Sequence, residues 1–536
     1  MIKYDKLFWS PTWLVLLLIL LLSAGIRYRM LDVPLERDEG EYAYAGQQIL
    51  KGVVPYKQLF SMKLPGVFAV YAGMLALFGE TQRAIHFGLL LVNSATAISL
   101  FFLGKRVIDP LAGLVAAGTF AVLSLGQHVQ GMWANAEHFV ILFVVAGFLL
   151  LLKAIEDDVP WLLFGSGLSL GLGFLMKQHG AFLVACGGMY LLFVHWCRQP
   201  VNGKRSASQF AIFTAGAVIP YGMTCLIMFL AGVFDDFWFW TFEYARMYGS
   251  QLPFSDAWAG LKDRGFPILE SAPLIWMLSG MGLIALIWDK QTRRSSIFIA
   301  LFTLCSFGAV CPGYYFRPHY FILMLPASAL LAGVGTSALR NAIPSFRPRM
   351  LKYGLPVLLV VASLSVALYQ QRQFLFKMTP VHACRETYPL RPFPESIEIA
   401  RYIRAHTGQD DRIAVIGSEP QIYFYSDRRS ASGYIYMYPL MEGQAYALEM
   451  QKRMIREIES VRPKFIIFVR IHTSWLMQAH SHRLLFAWFN DYRDRYYTLV
   501  GLIELFDDNS SYYLAPDLVW PPTSSNWIGI LKRNAG

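Results

Sequence analysis

Four carboxylates fall within six positions, Glu36, Asp38, Glu39 and Glu41, in the stretch Leu35 to Tyr42 that follows the first hydrophobic segment. Further along the chain come Lys63, the pair Glu137-His138, Lys177, and Arg317 with His319. A carboxylate can act as general base on an acceptor hydroxyl or amine, and cations can stabilise a phosphate leaving group as its charge develops. Such a set suits transfer of a group from a lipid phosphate. No glycine-rich phosphate loop of the nucleotide-binding kind occurs, so a soluble nucleotide donor is not supported.

Taken singly, each of these residues has a plainer structural reading. Asp38-x-x-Glu41 fits a capping box that opens a helix ending at Lys51-Gly52, which leaves Glu36 and Glu39 unexplained. Glu137-His138 reads as an interfacial pair, and Lys177 as a lysine snorkelling from a span whose Gly167-x-x-x-Gly171 spacing serves helix packing. Arg317 and His319 sit in an aromatic interfacial belt. An ionisable group at membrane depth costs about 2.5–3.5 kcal/mol, so several converging on one face point to a single site.

The elements that position these groups are membrane helices. The 536 residues are 55% hydrophobic, 15% aromatic and only 15% charged, which is the composition of a polytopic membrane protein. The net charge of +11 lies in short Lys/Arg clusters between apolar segments, so it reads as topological and no nucleic-acid partner is expected. Five of the six cysteines lie in or beside apolar segments without metal or disulfide spacing. Lys3 and Lys6 before the run Trp13 to Ile26 resemble a signal sequence, with a small-residue site at Ser23-Ala24-Gly25, but the many later spans favour an uncleaved first span.

Twelve apolar segments run at 12–26, 64–79, 84–103, 111–127, 138–152, 160–176, 180–197, 209–232, 272–288, 296–310, 319–339 and 353–369. Twelve spans would put Lys105-Arg106 opposite Arg198/Lys204/Arg205, against the positive-inside rule. Demoting 64–79 to the first external loop, 30–83, leaves eleven. These clusters, Lys290/Arg293/Arg294 and Arg340/Arg347/Arg349/Lys352 then share the cytoplasmic face. Asp38, Glu137, Lys177, Arg317, His319 and everything after residue 370 fall outside. A tension remains in that loop, which carries Arg27, Arg29, Arg37, Lys51, Lys57 and Lys63.

After residue 370 the hydropathy falls. A helix is expected over 394–406, a strand over 412–416, a helix over 442–461, a strand over 464–469 and strands within 496–514, the alternation of a small α/β domain. His472, His480 and His482 lack ligand spacing and read as solvated.

The runs Arg37-Asp38-Glu39-Gly-Glu-Tyr-Ala-Tyr, Lys51-Gly52, Pro55-Tyr56 and Lys63-Leu-Pro-Gly resemble the first external loop of the GT-C membrane glycosyltransferases. The nearer likeness is to the protein O-mannosyltransferases and their bacterial relatives, the aminoarabinose transferases of lipid A. Asn135-Ala136-Glu137, Gly171-Leu-Gly-Phe-Leu-Met-Lys177-Gln178 and Tyr315-Phe-Arg317-Pro-His319 extend it over residues 10–370. The resemblance implies a GT-C-like α-helical polytopic membrane protein of about eleven transmembrane helices. It would comprise a catalytic module, 1–370, and a soluble extracytoplasmic α/β domain, 371–536, in the plasma (bacterial inner) membrane.

It further implies an inverting transferase that takes a sugar from a polyprenyl phosphate and delivers it to a glycan, lipid or protein acceptor. Asp38 would be the base, with Glu39 beside it. Glu137, His138 and Glu41 would position acceptor or a metal, a divalent cation being left open. Lys177, Arg317, His319 and Lys63 would bind the donor phosphate. Lys63 is followed by Leu-Pro where aminoarabinose transferases more often have Pro-Pro, and the large luminal insert of eukaryotic mannosyltransferases is missing, so the acceptor does not carry over. Two other readings compete. A transporter or flippase of lipid-linked sugars predicts ionisable groups on both sides of the midplane and internal repeats. A scaffold or receptor would need its tail, whereas an enzyme is expected to need only its membrane core.

Overall fold

The computed structural model describes residues 11–197, 202–344, 347–348, 350–507 and 509–534; Lys3, Lys6, Arg198 and Arg349 lie outside the described residues. The membrane module comprises α1 (Pro11–Arg29), α2 (Arg37–Leu50), α3 (Pro65–Phe78), α4 (Gln82–Val107), α5 (Pro110–Leu123), α6 (Ala136–Asp157), α7 (Pro160–Met176), α8 (Ala181–Cys197) and α9 (Gly203–Leu230). It continues through α10 (Phe234–Trp238), a π-helical turn (Phe239–Tyr244), α11 (Ala245–Gly249), α12 (Ala257–Glu270), α13 (Pro273–Trp288), α14 (Ser296–Val310), α15 (Leu325–Ala342) and α16 (Leu355–Gln370). Starts are set locally. Asp109 accepts from the Ala112 amide at 2.9 Å with Pro110 in the first turn of α5, and Thr81 accepts from Ala84 at 3.1 Å to open α4.

Among the described residues eight helices are long and apolar enough to cross a membrane, and α12 with α13, bent by 105°, would make a ninth. The shorter apolar helices α5 and α7 pack within the bundle, against α4 and α15 and against α6 and α9. The third short helix, α3, starts at Pro65 and buries Val67, Phe68 and Tyr71 against α2, α4 and α7. Gly167 and Gly171 let α7 lie directly on α9, since a Cβ at either would overlap the carbonyls of Phe213 or Ala217. Between α9 and α13, where charged and aromatic residues break the apolar run, the chain still forms the short helices α10 to α12.

The two polar ends separate as the charge pattern predicts. At one end Arg106 pairs with Glu156 at 2.5 Å, Arg205 with Asp158, and Arg340 with Asp109 at 2.9 Å. At the other end lie α2, the loops before α6, α8 and α15, and the C-terminal domain. Several of the basic residues that sat uneasily there are tied down by the fold. Arg27 is buried and donates to the carbonyls of Ser124 and Gly131, Arg29 donates to those of Leu375 and Met378, and Lys51 pairs with Asp427. Charges consumed in this way are fixed by folding and are poor reporters of orientation.

The C-terminal domain contains α17 (Pro380–Thr387), α18 (Phe393–His406), β1 (Arg412–Ile416), α19 (Gln421–Ser426), β2 (Arg429–Ser430), α20 (Tyr438–Met441), α21 (Ala447–Val461), β3 (Phe465–Arg470), α22 (His472–Trp475), α23 (Leu484–Tyr496), β4 (Tyr497–Leu505), β5 (Ser510–Leu514) and β6 (Trp527–Arg533). Its sheet runs β2-β1-β3-β6-β4-β5, with β1 parallel to β2 and β3 and the other neighbours antiparallel. The long helix expected over 442–461 divides, its first turn belonging to a separate bend. β6 escaped the reading because its five buried residues Trp527 to Leu531 show no alternation, being covered on both faces. One apolar core runs without a break from Phe68 and Phe139 in the membrane module through Tyr44 and Tyr423 to Ile467 and Ile528.

Candidate active site

The first turn of α2 distributes its acids in two directions. Glu36 is the cap: its carboxylate accepts from the Glu39 amide at 3.1 Å, and Glu39 returns the bond to the Glu36 amide at 3.2 Å. The capping box is therefore Glu36-x-x-Glu39, correcting Asp38-x-x-Glu41, and it moves the helix start two residues earlier. Burial, with Asp38 and Glu39 close by, pushes the Glu36 carboxyl up to about 8. Glu39, fully buried, also meets His86 Nε2 at 2.9 Å and accepts from the Ala134 amide at 2.5 Å. It locks α2 to α4 and to the loop before α6 rather than facing the cleft.

Asp38 points the other way. Its Oδ2 receives the Lys63 ammonium at 3.1 Å and its Oδ1 the Tyr436 hydroxyl at 2.8 Å. Burial alone would raise this carboxyl, but Lys63, Lys177 and the Tyr436 hydrogen bond outweigh it and hold it well below the usual carboxylate range. Lys63 also donates to the Tyr42 hydroxyl at 3.3 Å; burial opposes its charge, and Asp38, Tyr42 and Glu41 overcome that and raise it. Glu41, buried beside Lys63, is pushed up to about 7 by desolvation, against the pull of Lys63.

A second carboxylate and lysine form a parallel pair. Glu137 in the first turn of α6 accepts from Lys177, which follows α7 and lies 4.1 Å over the Tyr320 ring. His319 Nε2 lies 4.0 Å from the same carboxylate oxygen, and its Nδ1 meets Gln130 Oε1 at 3.0 Å. Gln178 donates to the Met62 carbonyl at 2.8 Å, which ties the Lys177 loop to the Lys63 loop. Arg317 donates to the Tyr248 hydroxyl at 2.8 Å, with Tyr248 stacked on Tyr315 at 4.6 Å.

Asp38, Glu41, Lys63, Glu137, Lys177, Arg317 and His319 are thus brought to one polar cluster. His138 is not: it turns into the bundle, where Nδ1 meets Asn93 Oδ1 at 3.2 Å. Sequence reasoning missed Tyr436 and the role of Arg37. Arg37 pairs with Glu419 at 2.8 Å and donates to the Ser418 and Thr473 carbonyls and to the Tyr438 hydroxyl, bolting α2 to the loops after β1, β2 and β3. Those loops lie at the carboxyl ends of the parallel strands, where open α/β sheets form their ligand crevice. The visible signal was the alternation Tyr434-Ile-Tyr436-Met-Tyr438 between Ser-Gly and Pro. The C-terminal domain thus contributes the Tyr436 hydroxyl to the shell of Asp38, a contact that the expectation of a self-sufficient membrane core did not include.

A divalent cation does not fit this donor set. The cationic position on Asp38 and on Glu137 is taken by a lysine, and among the described residues no three His, Cys, Asp or Glu side chains are grouped to hold a metal.

A family model described as dolichyl-phosphate-mannose-protein mannosyltransferase matches residues 63–230, which include Lys63, Glu137 and Lys177. Among solved structures, ArnT from Cupriavidus metallidurans bound to undecaprenyl phosphate is similar at TM-score 0.61 and 15% identity, over 97% of this chain and 98% of that one. The archaeal oligosaccharyltransferase AglB from Archaeoglobus fulgidus, in complex with an inhibitory peptide and a dolichol-phosphate, is similar at TM-score 0.55 and 12% identity, over 94% of this chain and 75% of that one. The fold is that of the GT-C glycosyltransferases. No curated protein sequence matches the chain. The likeness to ArnT extends through the C-terminal domain, so this GT-C fold includes the sheet that carries Tyr436.

Proposed function

We propose that the chain is an inverting glycosyltransferase that takes a hexose or pentose from a polyprenyl phosphate on the outer face of the plasma membrane. The observation that carries this reading is the pairing of Asp38 with Lys63 and of Glu137 with Lys177, beside an arginine that has no carboxylate partner among the described residues. Asp38, as base, takes the proton of the acceptor hydroxyl or amine while the acceptor oxygen or nitrogen bonds to the anomeric carbon. The bond from that carbon to the phosphate oxygen breaks on the opposite face, its electron pair leaving with the phosphate. Lys63, Lys177, Arg317 and His319 stabilise that charge as it grows. Lys63 is bonded to Asp38, and a donor phosphate would compete for its ammonium and draw it away. The carboxylate then becomes more basic only once the leaving group is in place. Glu137 holds Lys177 toward the phosphate, and Glu41 stands behind Lys63.

Mass spectrometry of envelope glycolipids, glycoproteins and polyprenyl-phosphate pools, from cells with and without the chain, tests the reading. A chain-dependent hexose or pentose increment with matching release of polyprenyl phosphate is expected. Unchanged transfer with a shifted transbilayer distribution of lipid-linked sugar would instead favour a flippase.

A further inference from the structure

The hydroxyl that reaches Asp38 from the C-terminal domain has a rigid mounting. The loop of residues 431–437 after β2 is held from two sides. Ser432 and the Gly433 amide donate to Glu457 at 2.6 and 3.0 Å, and the Met437 amide donates to Ser418 at 2.9 Å. On the membrane-module side the Phe60 amide donates to the Gly433 carbonyl at 2.9 Å, and Tyr434 packs edge-on to Phe60 at 4.9 Å. A Cβ at position 433 would overlap the Phe60 ring, so the close approach requires glycine. Tyr436 itself leans edge-on against Tyr438 at 5.1 Å, and Tyr438 is fixed by Arg37 and the Thr473 carbonyl.

We propose that Tyr436 is a positioning residue for Asp38, fixing the plane of the carboxylate from the C-terminal domain so that the acceptor meets an oriented oxygen. The proposal rests on the reading of Asp38 as base. With Lys63 alone the carboxylate could swing about its Cβ–Cγ bond; with each oxygen held by a different module it cannot. Once Lys63 turns to a donor phosphate, Tyr436 remains as the hold, and its single hydroxyl leaves the other lone pair of Oδ1 for the acceptor proton. Its hydroxyl also stabilises the ionised form.

The charged and titratable groups that face Asp38 are Lys63 before α3, Lys177 after α7, His319 before α15, Glu36 and Glu41 on its own helix, and the phenols Tyr42, Tyr320 and Tyr436. Lys63→Met removes the strongest attraction and brings the carboxyl into a measurable range. In pH-difference infrared spectra of the full chain, the protonated carbonyl band lost in Asp38→Asn then reports Asp38 without any substrate. Adding Tyr436→Phe to Lys63→Met is expected to raise its midpoint by about one pH unit, because a hydrogen bond to the charged form is lost. Tyr436→Phe alone is expected to cut cellular sugar transfer about tenfold at unchanged melting temperature, and Gly433→Val, which pushes the loop off Phe60, to reproduce that loss. An unmoved midpoint, or full transfer in Tyr436→Phe, would overturn the proposal. So would a drop in melting temperature that accounts for the whole loss. Activity in Asp38→Asn would overturn the base instead, and the infrared result stands apart from it.

Discussion

Two faces of one helical turn divide the work of four acids. On the core face Glu36 and Glu39 bond to backbone amides and to His86 and hold α2 in place. On the cleft face Asp38 and Glu41 meet Lys63, and Asp38 alone reaches the second module. The residue types are nearly the same and the spacing within each pair is the same. What separates them is what lies opposite: N–H groups that need an acceptor on one side, mobile ammonium and hydroxyl groups on the other. An amide must stay bonded, whereas an ammonium can be handed to a phosphate.

Substitutions should divide along that line. Glu39→Ala leaves the Ala134 amide and His86 Nε2 without their acceptor in the core, and is expected to cost about 2–4 kcal/mol. Thermal unfolding of the solubilised chain would read this loss, with activity per folded molecule within about twofold of wild type. A Glu39→Ala chain of native stability and no activity would erase the distinction.

Glu41 should show its place by pH. Its folded carboxyl lies at about 7 against an ordinary 4.5, a raised acid, so its contribution is fully present below about 4.5 and is lost as pH rises through 7. Relative to Glu41→Gln, the wild type should therefore lose about 1 kcal/mol of stability per pH unit across that window. A constant gap between the two unfolding curves would contradict the buried placement. The smallest effect is expected at the cap, where Glu36→Ala should cost about 1 kcal/mol with no change in transfer.

Much of this was legible in the sequence. The two-ended charge pattern follows from lysines and arginines that cannot cross a membrane cheaply, and it puts Asp38, Glu137, Lys177 and Arg317 on one face. What the sequence hid depended on tertiary partners. Aspartate is the better N-cap in general, so Asp38 was read as the cap, whereas the extended backbone at Glu36 puts that residue in the position. Glu39 and His138 looked like site residues because adjacency in sequence says nothing about which side of a helix a group leaves by. Tyr436 lies 398 positions from Asp38, and no local pattern could announce that contact.

The central claim is that Asp38 is the base of a polyprenyl-phosphate sugar transfer. Asp38→Asn, isosteric and still able to accept from Tyr436, tests it most directly when sugar transferred to envelope acceptors and polyprenyl phosphate released are quantified together in cells carrying either chain. The account predicts both falling about 10²–10⁴-fold, with the variant inserted and as abundant as wild type. Transfer at the wild-type rate from an inserted Asp38→Asn chain would contradict it.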